Sequence, residues 1–309
     1  MRAALDLLAG RRLVVLTGAG LSTDSGIPDY RGPRPDGTVA VRTPMTYQEF
    51  VSGPEARQRY WARSHLGWGR MRRAEPNAGH RALAALDPEL LITQNVDGLH
   101  EAAGSRRVVA LHGRIADVVC LGCRVVSSRR RLQARLEEAN PGFVRRHAGA
   151  AINPDGDVEL DDPEAVARFV VPACEACGGV LKPDVVYFGE NVPKPRVERC
   201  YAAVDALAAP EPGPDGAGAR GALLVVGSSL AVMSGFRFVR HAAKAGTPVV
   251  IVNRGATRGD DHATVKLEAG CSEFLTALTA LTVPTAPTAP NAPADPSRPV
   301  PDVLSRSTG

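Results

Sequence analysis

The sequence predicts an α/β protein: a doubly wound parallel sheet with helices on both faces, and a smaller domain attached. Three observations carry this. Five apolar runs recur, each closing in Gly or polar residues, the pattern of strands buried on both faces. Helix-like stretches separate them, as crossovers between parallel strands require. At 309 residues the chain also exceeds the usual size of a single core.

The runs are LVVLTGAG (13–20), LLITQNVDG (90–98), VVALHG (108–113), ALLVVGSS (222–229) and PVVIVNRG (248–255). Ligands of such sheets bind outside the carboxyl ends of the strands. The five polar endings are therefore expected to line one crevice; the plain alternative is that each is only a strand-terminating loop. Residues 1–38, 77–113 and 187–283 are assigned to this large domain. Residues 39–76 show helical spacing and are read as a helical lobe. Residues 114–186 break the strand pattern, hold four of the six cysteines and are read as a separate module. Ala209–Ala219 is read as a flexible loop, and 284–309, rich in Pro and Ala, as a disordered tail.

Composition excludes several classes. A net charge of +4 leaves no electrostatic footprint for nucleic acid. No run reaches 18 apolar residues, so no membrane span is expected. The start, MRAALDLLAGRR, is too short before the first strand to read as a leader. Cysteines without a leader point to metal or catalysis rather than disulfides, and to the cytoplasm.

The first run ends in Gly18-Ala19-Gly20, a turn that lets backbone come close to a neighbour. A phosphate chain is the usual occupant of such a turn before a helix. Yet Thr23 stands where the dinucleotide fingerprint has its third Gly, and no acidic residue ends a second strand. A hydride-transfer enzyme is therefore disfavoured. Ser22 and Ser25 read as helix caps before a Pro turn, or, with Asp29-Tyr30-Arg31, as part of a ligand segment in which Arg31 forks onto a pyrophosphate.

The second run ends in Thr93-Gln94-Asn95-Val96-Asp97-Gly98-Leu99-His100. Amides and a carboxylate at a strand end suit a carboxamide and ribose hydroxyls; the alternative is a polar turn capping the next helix. His112 closes the third run, where an imidazole can abstract a proton near neutral pH. The other six histidines have no such setting. Cys120-x-x-Cys123 and Cys174-x-x-Cys177 read as one tetrahedral zinc site. Four thiolates leave no open position, so that zinc is structural; a redox dithiol pair is the alternative. Cys200 reads as packing. Lys182–Glu190 can be a strand edge that pairs with an extended peptide, or an ordinary buried strand. Gly227-Ser228-Ser229 and Asn253-Arg254-Gly255 end the last two runs and suit phosphate and ribose.

Taken together these strings resemble the sirtuin family, the NAD-dependent protein deacylases. The resemblance rests on Gly18–Arg31 (with Tyr30 where most members have Phe), Thr93–His100, Leu111-His112-Gly113, the two cysteine pairs, Lys182–Glu190 and Gly227–Leu230. It runs from about residue 13 to 280. Tyr30, the 50-residue spacer between the cysteine pairs, and Ala231–Phe236 in place of Val-x-Pro are similar to the class II branch. An Arg-dominated, Ala-, Gly- and Pro-rich composition suggests a bacterial member.

The resemblance implies a Rossmann-like sheet domain, a zinc-ribbon and helical small domain, and NAD as co-substrate. It implies His112 as general base, with Asn95 and Gln94 positioning the nicotinamide ribose and a water, and Asp97 holding the carboxamide. Gly18, Ala19, Gly20, Asp29, Tyr30, Arg31, Gly227, Ser228, Ser229, Asn253, Arg254, Gly255 and Cys271 would complete the cofactor site. Val186, Phe188, Gly189 and Glu190 would bind an acyl-lysine peptide. One zinc would sit on Cys120, Cys123, Cys174 and Cys177. The implied reaction is protein lysine deacetylation or deacylation, releasing nicotinamide and O-acyl-ADP-ribose. Protein mono-ADP-ribosylation and a non-catalytic NAD-sensing adaptor are the alternatives. The partners expected are acylated-lysine proteins, with neither nucleic acid nor membrane, and the chain is expected to be a monomer. Tyr60 and Arg63 share a helix face and could take an acidic acyl group, or be an aromatic core residue beside a snorkelling arginine.

Overall fold

All five apolar runs form strands, and they lie side by side. In the computed structural model, which describes residues 1–29, 44–147, 158, 160–210 and 219–282, the strands in chain order are β1 (Leu13–Thr17), β2 (Leu90–Thr93), β3 (Val108–Ala110), β4 (Gly113–Cys120), β5 (Val126–Ser128), β6 (Leu181–Val185), β7 (Ala222–Val226), β8 (Val249–Val252) and β9 (Val265–Leu267). Six of them make a sheet in the order β3-β2-β1-β7-β8-β9. Every pairing in it is parallel. Tyr30, Arg31, the segment 211–218 and the tail from 283 lie outside the described residues.

The period of two along each strand divides the core between the two faces. Leu13 and Val15 join one cluster with Leu224, Val250 and Phe274; Val14 and Leu16 join the other with Val225, Ile251 and Phe238. Helices Arg2–Leu8, Ala78–Leu86 and Cys271–Thr282 supply residues to the first face. Helices Lys194–Ala206 and Met233–Lys244 cover the second. Each Val, Leu or Ile fully buried here contributes roughly 1.5–3 kcal/mol.

β9 is a strand that the apolar runs do not include. It pairs only with β8 at the sheet edge, and all three of its residues are half-buried, Lys266 among them. An edge strand with one side open needs no continuous apolar run.

The helical lobe and the cysteine module share one core. Phe50, Tyr60 and Trp61 from the lobe pack with Val118, Leu132, Phe143 and Phe169 from the module. The lobe consists of helices Tyr47–Ser52 and Pro54–Met71, the first opened by a reciprocal Thr46–Glu49 capping box. The module carries an antiparallel sheet ordered β5-β4-β6. The basic run near 128–140 is a helix, Arg129–Ala139, whose Arg129 is buried between the rings of Trp61 and Trp68. A last cluster of Ile27, Trp68, Met71, Leu99 and Ile115 joins the two domains beside the strand ends.

Candidate functional site

The order of strand addition reverses between β1 and β7, so the crevice opens at their carboxyl ends. Here the Gly-Ala-Gly turn meets the Gly227 turn. Gly20 N–H donates to Gly227 O at 2.9 Å. A Cβ on Gly18 would lie 2.7 Å from Gly227 O, and one on Gly227 would lie 2.5 Å from Leu21 N. Gly227 also has φ +64°. The close approach read from the sequence is therefore backbone on backbone. Gly18, Gly20 and Gly227 lock the crevice floor, and the Gly20 N–H is already bonded to protein rather than offered to a phosphate. Cys271 is buried against this floor; burial pushes its thiol up to about 11, which keeps it a neutral packing group.

Above the floor stand Asn95, Ser22 and Asp97. Asn95 Nδ2 donates to Ser22 Oγ at 3.0 Å and to Gly18 O at 3.1 Å. Ser22 Oγ donates in turn to Asp97 Oδ2 at 2.7 Å. Asp97 Oδ1 accepts from Leu99 N at 2.9 Å. Burial raises the Asp97 carboxyl above its ordinary value, opposed by the Leu99 amide and the Ser22 hydroxyl. The capping role read for Ser22 is not what forms: its hydroxyl caps no helix and instead links an amide to a carboxylate 75 residues on.

His112 completes this wall. Its Nδ1 lies 2.9 Å from Gln94 O and its Nε2 lies 2.8 Å from Ser234 Oγ. A carbonyl can only accept, so Nδ1 carries the proton of the neutral ring and Nε2 keeps its lone pair. Burial lowers the His112 pKa, partly opposed by the Gln94 carbonyl, with the Arg196 charge adding to the lowering. The ring is thus a neutral base of fixed tautomer. The Gln94 side chain is held by Ser228, whose hydroxyl donates to Oε1 at 2.6 Å. Ser229 O accepts from Arg258 N at 3.0 Å.

Farther along the sheet edge, Asn253, Arg254 and Gly255 form the turn after β8. Asn253 Nδ2 bonds Arg254 O and Gly255 O, and Gly255 N donates to Glu268 Oε2 at 2.8 Å. Lys266 ties Asn253 O, Gly255 O and Glu268 together. Glu268, just past β9, is thus taken up by this turn and by Lys266.

The peptide-edge segment is partly occupied by the chain itself. Val186 N donates to His112 O at 2.8 Å, and Phe188 O accepts from Tyr47 N at 2.9 Å. Phe188, 45% exposed, presents its ring to solvent, and Gly189 stands exposed beside it. Glu190 turns inward. Its Oε2 accepts from Tyr187 N and pairs with the buried Lys182 Nζ, each at 3.0 Å. Glu190 therefore closes the turn that displays Phe188.

In the module, the Sγ atoms of Cys120, Cys123, Cys174 and Cys177 all lie within 4.8 Å of one another. Cys120 and Cys177 are 3.5 Å apart, Cys123 and Cys174 3.8 Å. Tetrahedral zinc with bonds of about 2.3 Å separates its thiolates by roughly 3.8 Å. The donors fit that ion, and with four of them no position is left for water.

A model described as the Sir2 family matches residues 18–234. The chain belongs to the Sir2 family. It is 57% identical over 279 residues, 88% of this chain and 87% of the relative, to "NAD-dependent protein deacetylase 1" of Streptomyces coelicolor. It is 52% identical over 279 residues, 88% of this chain and 92% of the relative, to the protein of that name in Mycobacterium avium. Among solved structures it resembles Sir2 with a p53 peptide and NAD+ at TM-score 0.67 and 30% identity, covering 91% of this chain and 97% of that one. It also resembles Sir2 bound to an acetylated peptide at TM-score 0.65 and 28% identity, with the same coverage.

Within this Sir2-family fold the Tyr60–Arg63 pair is part of the small-domain core. Tyr60 is 4% exposed and ringed by Phe50, Trp61 and Tyr187. Arg63 Nε donates to Val158 O at 2.7 Å. One hydroxyl of the crevice escaped assignment from sequence, Ser234, and the link of Ser22 to Asp97 was not foreseen, because both partners lie far along the chain. Ala19 lies in the short 3-10 turn that opens the crevice, and Asp29 follows it in the chain.

Proposed function

We propose that this chain is an NAD-dependent protein lysine deacetylase that releases nicotinamide and O-acetyl-ADP-ribose. One observation carries the reading: a neutral His112 whose Nε2 lone pair stands at the crevice beside the Asn95–Ser22–Asp97 array. NAD bound across the strand ends supplies the ribose carbon that accepts the acyl oxygen as nicotinamide leaves. The chain's own groups do the rest. Asp97 takes the carboxamide N–H groups, as an acceptor fixed by Ser22 and Leu99. Asn95 orients the ribose. His112 Nε2 takes a proton from a ribose hydroxyl and so frees that oxygen to attack the acyl carbon. The Phe188 edge holds the lysine-bearing segment, and the zinc module supports that edge through β6.

The relatives named deacetylase favour a small neutral acyl group over an acidic one. The four free thiols of the zinc site suit a reducing cytoplasm, and no helix among the described residues is long and apolar enough to cross a membrane.

A panel of acetyl-, propionyl- and succinyl-lysine peptides with NAD tests the reading. Acetyl-lysine is expected to turn over fastest. His112→Ala should lower kcat/KM by about 10²–10⁴, the range of general-base catalysis, with an unchanged far-UV spectrum. Full activity in that variant would overturn the assignment of the base. ADP-ribose attached to protein, without deacylation, would establish transferase activity instead.

A further inference from the structure

We propose that Ser234 is a positioning residue for the base: its hydroxyl holds the His112 Nε2 lone pair in the free enzyme and receives the Nε2–H once the ring is protonated. This rests on His112 being the base.

The geometry points to a built contact. Ser234 lies at the second position of helix Met233–Lys244, with Oγ 2.8 Å from Nε2. Nδ1 is occupied by the Gln94 carbonyl, so the Ser234 hydroxyl must be the donor to the neutral ring. Its neighbour Gly235 allows the approach: a Cβ there would lie 2.7 Å from Gln94 Nε2. The helix thus rests on the same residue that holds the other side of the imidazole. The chain entering it is fixed too. Leu230 is buried with φ +55°, a conformation uncommon for a side-chain-bearing residue. Arg258 donates from its backbone to Ser229 O and from Nη1 to Ala231 O, and stacks on the Phe236 ring at 4.6 Å. These contacts span the Ala231–Phe236 string, where the sequence departs from Val-x-Pro.

A hydroxyl suits the task because it both donates and accepts. In the resting site Ser234 O–H donates to Nε2. When a ribose hydroxyl takes that place, its O–H bond breaks and the proton forms Nε2–H. The Ser234 oxygen, rotated, can then accept from the imidazolium while the ribose oxygen attacks. No proton is lost or gained by Ser234 over the cycle.

The test is nitrogen NMR of His112 in the whole zinc-loaded protein, without NAD or peptide, in wild type and Ser234→Ala. The wild-type neutral ring should be the Nδ1–H tautomer. Ser234→Ala removes both the donor to the neutral ring and the acceptor for the imidazolium, so the His112 titration should shift by roughly half to one pH unit, upward where the bond to the neutral ring is the stronger and downward where the bond to the imidazolium is. Arg196, from helix Lys194–Ala206 and 3.5 Å from Asp184, is the charged group that lowers the His112 pKa and is unchanged by the substitution. The acid limb of kcat/KM should move in the same direction, and kcat should fall about three- to tenfold with KM little changed. A wild-type Nε2–H tautomer, or an unchanged titration in Ser234→Ala, would overturn the proposal. Because the NMR arm needs no turnover, it stands apart from failure of the deacetylase reading, which the wild-type peptide assay reports.

Discussion

The two domains reach stability by different means. The large domain buries five unbroken apolar strands between helices. Val14, Val15 and Leu16 on β1, and Leu223, Leu224, Val225 and Val226 on β7, are wholly inaccessible to solvent. The small domain has three antiparallel strands, one of which exposes Val126, and its core accommodates a buried arginine between two tryptophans. Its two knuckles come together at four thiols. One domain is thus held by hydrophobic burial, the other by burial plus a metal. The wall that carries His112 belongs to the first, whereas Tyr187 packs into the core of the second and Phe188 pairs with its Tyr47, although the sequence placed 187 onward in the large domain; on the proposed reading, losing the metal should disarm the crevice without dissolving it.

Zinc removal breaks the comparison most sharply. A structural zinc of this type contributes free energy on the order of 10 kcal/mol to the fold it closes. Chelation, or Cys120→Ser, should abolish deacylation and release amide protection in β4–β6 while β1, β7 and β8 stay protected. Both tryptophans, Trp61 and Trp68, lie in the helical lobe of the small domain, so their fluorescence should shift red as zinc leaves. Simultaneous loss of protection in both sheets would contradict the division.

Acid should act on the large domain. His80 and His100 are buried with ring centroids 4.8 Å apart. Burial lowers them to about 4 and about 3. In the unfolded chain both protonate near 6.5. The unfolded state therefore takes up protons first, and stability present above pH 6.5 is lost as pH falls toward 4. Between pH 7 and 5 each histidine should cost about 2 kcal/mol. Urea unfolding at the two pH values, with hydrogen exchange followed in β1 and β7, measures this. A pH-independent midpoint would show that the pair titrates in the fold as it does in the unfolded chain, and would contradict the lowering by burial.

The smallest effect sharpens the crevice floor. Gly18→Ala should cost about 1–3 kcal/mol through overpacking against Gly227 and Ser228. It should also weaken NAD binding, read by calorimetry, although the glycine is packed against protein. An unaltered melting temperature would return Gly18 to the role of a ligand contact.

The same contrast explains what was legible in the sequence. Unbroken apolar runs exist because both faces of a central strand are covered, so β1, β2, β7 and β8 could be read one by one, and the edge strand β3 was legible because its own run, VVAL, stays apolar. β9 could not, because an edge strand tolerates Lys266. The cysteine pairs were legible because tetrahedral thiolate binding fixes a short spacing. Ser22 and Ser234 were not, because a hydroxyl's role is set by its partner, and Asp97 and His112 lie 75 and 122 residues away. Gly18 and Gly20 were correctly singled out as close-packed, but the neighbour is Gly227. That the Glu190 carboxylate pairs with the buried Lys182 was not legible, because the partner's burial is a property of the fold.

The central claim is that the crevice couples NAD cleavage to acyl transfer through His112. Mass spectrometry of a single-turnover mixture, with acetyl-lysine peptide and NAD, tests it most directly. One nicotinamide and one O-acetyl-ADP-ribose are expected for each lysine released. In His112→Ala both should fall together, or nicotinamide should persist without acyl transfer. Free acetate with ADP-ribose as the primary products, or lysine released without NAD, would contradict the claim.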